Sequence, residues 1–139
     1  MDSAIRWLRI SFWVGAVVDC VAAIQMLYPP LFAFGMSIPA FNPGEDYRYA
    51  MGMGASLMLG WTALLLWADR KPLERRGVLP LTVVPVIAGL AVNELHGVRT
   101  GFLSLPPVAP VWGLQLVLSS LFLASYWRAH RAARPGATF

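Results

Sequence analysis

Four apolar runs alternate with short polar or proline-rich stretches along this chain. The longest charge-free run lies within Arg48–Lys71. From Tyr49 to Ala68 it carries no charged side chain, and a helix of that length spans ~30 Å, about one bilayer core. The runs predict helices at about 6–28, 47–68, 78–97 and 108–127, followed by a basic tail, 128–139. The expected fold is an all-α membrane protein: one domain over 1–139, with four transmembrane helices in an up-down-up-down bundle.

The punctuation between the runs is specific. Pro29 and Pro30 cannot supply a helical N–H and end the first run. The stretch 31–46 is rich in Pro, Gly and aromatics yet still apolar, which suits an interfacial segment or a lid. Asn42, Pro43 and Gly44 signal a turn before the second helix. Asp69–Gly77 is a short charged connection. Pro80 falls in the first turn of the third helix, where proline is tolerated, and Pro85 falls inside it and predicts a kink or a freed carbonyl. The stretch 99–110 reads as a second proline-rich loop, with Pro106, Pro107 and Pro110. Asp19 interrupts the first run and no small-x-small site follows a clean apolar core, so that run reads as a retained span, not a cleaved signal.

Composition agrees with this pattern. The 139 residues are 58% hydrophobic and 13% charged, with mean hydropathy +0.60, whereas soluble domains carry about 25% charge. A net charge of +4 would suit nucleic acid, but the cations cluster at the ends of apolar runs, so no nucleic-acid partner is expected. Nine of the eleven Lys and Arg residues fall on one side of a four-span topology: Arg6 and Arg9, then Arg70, Lys71, Arg75 and Arg76, then Arg128, Arg131 and Arg134. Only Arg48 and Arg99 fall on the other. Cations favour the cytoplasmic side, so both termini are expected there, in an inner (plasma) membrane. Cys20 is the only cysteine, which excludes an internal disulfide.

Within the second run, Gly52, Ser56 and Gly60 recur every four residues and share one helix face. In lipid, helices associate where small residues let backbones approach, so this face is the expected packing surface of the bundle. Asp19 lies near the middle of the first run, where a carboxylate costs ~2.5–3.5 kcal/mol to insert. Gly15 and Ala23, one turn to either side, give it a small-residue face that points into the bundle. Asn93, Glu94 and His96 stand near the outer end of the third run, and Gln115 on the fourth can add hydrogen bonds. These five residues form the candidate ligand-binding set, lining an outward-opening pocket under the two proline-rich loops.

The expected function is to bind or transport a small apolar or cationic molecule, with Asp19 as counter-charge or proton site. An intramembrane acid–base enzyme acting on a lipid-like substrate is the alternative, with Asp19 or Glu94 as acid and His96 as base. A third reading is an accessory subunit whose Gly52–Ser56–Gly60 face meets a membrane-protein partner or a second copy. No metal site and no cofactor are expected. One His and two carboxylates lack a motif that fixes their geometry, and His130, the only other histidine, lies in the tail. No phosphate loop, dinucleotide fingerprint or nucleophile elbow is present. The expected partners are the lipid bilayer and a small-molecule ligand.

Overall fold

The computed structural model describes residues 2–39 and 41–133. Among these there are helices and no strands. They are α1 (Asp2–Leu27), a short α2 (Pro29–Gly35), α3 (Glu45–Asp69), α4 (Val78–Arg99) and α5 (Leu105–Ala132). All but α2 are long and apolar enough to cross a membrane.

The prolines both stop and start helices. Leu27 closes α1, Tyr28 leaves the helical region at φ −121°, ψ 85°, and Pro29 opens α2 at its first position. Proline suits that position because its missing N–H would have had no helical partner there. The same logic corrects the expected loop at 99–110. Ser104 is extended, Leu105 begins α5, and Pro106 and Pro107 sit in its first turn. The prolines read as loop punctuation thus seed the helix instead. At its other end α5 continues through Arg128 and Arg131 to Ala132; the rest of the basic tail, 134–139, lies outside the described residues.

Pro85 distorts α4 as its position predicts. The ring removes one donor from the ladder, and the turn around it widens into a π segment, Thr82–Ile87. The Ala88 N–H bonds back to the Val83 carbonyl, five residues away. Trp61 of α3 anchors the start of this segment, its indole N–H donating to Thr82 Oγ1 at 3.1 Å.

The packing centre is α1, not α3. Leu8, Phe12 and Ala16 of α1 share the main core with Leu65 and Ala68 of α3, Leu79 and Ile87 of α4, and Leu118, Phe122 and Ala129 of α5. A smaller cluster joins Ala23 to Ala55 and Met58, with Val86 against it. The close approach occurs at Gly15, where a Cβ would stand 3.1 Å from both Leu65 Cδ1 and Phe122 Cζ.

The Gly52, Ser56 and Gly60 face does not pack within the chain. Ser56 and Gly60 are exposed, and a Cβ on Gly52 or Gly60 would meet nothing within 4 Å. The inward stripe of α3 is Ala55, Met58, Leu65, Ala68 and Asp69. Asp69 explains the choice. Asp69 is only 9% exposed, and its carboxylate is held from α1 by Arg9 and Trp13. Nine residues at about 100° each put Gly60 on the side of the helix opposite Asp69. Turning the acid toward α1 therefore turns the glycines away.

Candidate functional site

The side chain of Asp19 is buried in α1, with 7% of the residue exposed. Its Oδ2 is fully covered and has no hydrogen-bond partner. One turn earlier Gly15 touches Leu65 and Phe122; one turn later Ala23 joins Ala55 and Met58. Asp19 thus continues the stripe of α1 that fits between α3 and α5. Two ion pairs form among the described residues, Arg9–Asp69 and Lys71–Glu74, and neither includes Asp19. A buried carboxylate oxygen with neither cation nor donor is costly wherever it occurs.

A second polar contact joins α4 to α5. Gln115 Nε2 stands 3.0 Å from both Glu94 Oε1 and Glu94 Oε2 and donates to that half-buried carboxylate. The Trp112 side chain stands beside the same carboxylate. Gln115 Oε1 is buried and accepts nothing. Ser11 meets Ser125 and Gly15 meets Phe122, so moving forward along α1 corresponds to moving back along α5. On that register Asp19 is level with Leu118, and Gln115 lies ~4.5 Å further along the same α5 stripe.

The expected set therefore divides. Glu94 and Gln115 come together, and Asp19 is buried along α1 between Gly15 and Ala23. Asn93 and His96 are exposed on the outer surface of α4. Glu94 is about 100° round the helix from Asn93, so one rotation of α4 cannot turn both inward. The Gln115 contact accompanies Glu94 inward.

The opposite face of the chain carries contacts that the sequence pattern hides. Arg9 Nε and Nη2 bind Asp69 Oδ1 and Oδ2 at 3.0 and 3.3 Å, and Trp13 Nε1 donates to Asp69 Oδ2 at 3.2 Å. Asp69 reads in sequence as the first residue of a charged loop, but it is the last residue of α3. The one available signal was Arg9 and Trp13, four apart on the same face of α1. Close by, the Ser11 and Ser125 hydroxyls meet at 2.8 Å in a buried contact. The Arg128 guanidinium lies 5.2 Å from the centre of the Trp7 ring, and Arg75 lies 3.4 Å from that of Trp67 while also donating to the Trp67 carbonyl.

At the far end the two proline-rich stretches touch through aromatic rings. Phe41 meets Phe32 at 5.8 Å, Tyr47 at 5.3 Å and Phe102 at 6.5 Å between centroids. Behind Phe102 the turn is tight: Gly101 adopts φ +77°, and a Cβ on Gly97 would stand 2.8 Å from Leu103 Cδ1.

Two shallow depressions lie at the arginine-rich end. One, of about 420 Å³, is lined by Asp2, Ile5, Arg6, Arg9, Ile10 and Trp13. The other, of about 400 Å³, is lined by Ala124, Trp127, Arg128 and Arg131. Neither opens onto Asp19, Glu94 or Gln115. Among the described residues no three His, Cys, Asp or Glu side chains converge as metal ligands would. Compared with protein families, curated proteins and solved structures, the chain matches none of them.

Proposed function

We propose that this chain is a multi-pass protein of the inner (plasma) membrane that binds or transports a small cationic or apolar molecule. Its four long helices run up-down-up-down, with both termini on the cytoplasmic side. The cation asymmetry supports that orientation, and so does the grouping of Arg9 with Asp69 and of Trp7 with Arg128 at one end. The observation that carries the binding reading is Asp19, with its covered and unpartnered carboxylate oxygen. An ionisable group held at membrane depth without a partner is explained by a guest that supplies the missing charge or donor. Glu94 and Gln115 form a second polar point, between α4 and α5. The acid–base alternative is weaker, because His96, its only base, is exposed on the outer surface of α4 while Asp19 is buried.

The test is unbiased identification of small molecules that copurify with the protein in mild detergent, for wild type and for Asp19→Asn. Circular dichroism checks that both are folded. A species retained by the wild type and lost from the variant supports the reading. Equal retention by both, or no bound species in either, overturns it. A second reading, self-association, is favoured by one observation: Gly52 and Gly60 present an unfilled small-residue face to the surroundings.

A further inference from the structure

We infer that the outer face of the last turns of α5 is a binding site for an anionic phospholipid, with Arg128 and Arg131 holding the headgroup phosphate. The site is independent of Asp19 and rests only on the membrane reading of the four helices.

Ala124, Trp127, Arg128 and Arg131 recur at i, i+3, i+4 and i+7, so they form one exposed stripe. Together they line a depression of about 400 Å³. Ala124 is the small residue at its membrane-side end, and leaves room there for the start of an acyl chain. Trp127 is the wall, with an indole suited to the headgroup boundary. The two guanidinium groups are the rim. Guanidinium pairs with phosphate oxygens through two parallel N–H donors, which makes two arginines one turn apart a phosphate clamp.

Charge bookkeeping sets this face apart from the other cations at the same end. Asp69 is occupied by Arg9, and Glu74 by Lys71. The neighbouring depression contains Asp2 beside its arginines. The α5 depression has no acidic lining residue, and neither of its arginines enters an ion pair among the described residues. Arg128 is also steadied against the Trp7 ring at 5.2 Å, so part of its ordering is complete before a ligand arrives. Two cations without an acidic partner among the described residues, over an apolar groove, match a lipid with an anionic head and two apolar tails.

The test titrates the full chain in mild detergent with phosphatidylglycerol, and separately with phosphatidylcholine of the same acyl chains. Native mass spectrometry reads binding and thermal unfolding reads stabilisation. Phosphatidylglycerol should bind preferentially. Arg128→Gln and Arg131→Gln should each weaken it roughly fivefold, while Arg70→Gln, which removes an equal charge outside the depression, should not. Ala124→Leu should weaken binding by filling the groove without changing charge, and serves if the arginine variants fail to fold. Equal binding of the two lipids overturns the inference, as does an Arg70→Gln effect as large as that of Arg128→Gln. Displacement of the lipid by millimolar inorganic phosphate would assign a soluble-anion site and overturn the lipid assignment. Extraction of the protein without detergent would defeat the membrane reading itself, a result distinct from a mere lack of lipid preference.

Discussion

Arg9 grips Asp69 through two hydrogen bonds sixty residues apart in sequence, tying the start of α1 to the last residue of α3. The pair holds the Asp69 side of α3 against α1, and Trp13 donates to the same carboxylate. Asp69→Ala removes the acceptor from both donors at once. It is expected to lower the detergent melting temperature more than Arg9→Gln, which leaves the Trp13 bond in place. Thermal unfolding of the two variants checks the order; equal losses would show that the pair does not fix the helix.

Gly15 and Gly60 should respond oppositely to added bulk. A Cβ at position 15 meets Leu65 and Phe122 at 3.1 Å, whereas one at position 60 meets nothing. Gly15→Val is expected to cost about 1–3 kcal/mol through overpacking, and Gly60→Val to leave monomer stability unchanged within about 0.5 kcal/mol. If Gly60→Val changes the oligomeric state in size-exclusion chromatography with light scattering, that face meets a second copy.

Ser11 and Ser125 form a buried hydroxyl pair between α1 and α5. Interhelical hydrogen bonds in membranes average ~0.6 kcal/mol in double-mutant cycles. A cycle of Ser11→Ala and Ser125→Ala should yield a coupling of that order. Additive single effects would show that the two hydroxyls do not act together.

Gly101 is the turn residue with φ +77°. Gly101→Ala should cost about 1–2 kcal/mol, because a side chain there crowds the following carbonyl. Gly113, on α5 with open space around it, provides the control: Gly113→Ala should be neutral or stabilising by up to about 1 kcal/mol. Chemical or thermal unfolding in detergent measures both.

What the sequence revealed and what it hid follow from one property of membrane helices. The four long apolar runs were legible because length without charge is an unambiguous signal. Rotation was not, because a helix that is apolar all round has no pattern to say which face turns inward. Gly52, Ser56 and Gly60 therefore looked like the packing face, while the deciding residue, Asp69, looked like loop. Asp19 could be singled out since a lone acid in an apolar run has few bland explanations. Spacing put Glu94 on a different side of the helix from Asn93 and His96 but could not say which side turns inward; the Gln115 contact decides it. The short α2 and the early start of α5 were masked by proline, whose role as stop or start depends on which side the helix lies.

The placement of α1 at the centre has a consequence for biogenesis. Of the four long helices α1 is made before the others, yet its partners arrive later: Asp69 sixty residues after Arg9, Phe122 and Ser125 more than a hundred after Gly15 and Ser11. Until then the acid at position 19 has neither α3 nor α5 to shelter it. The core around α1 can close only once α5 has been made, because Phe122 and Ser125 belong to that helix.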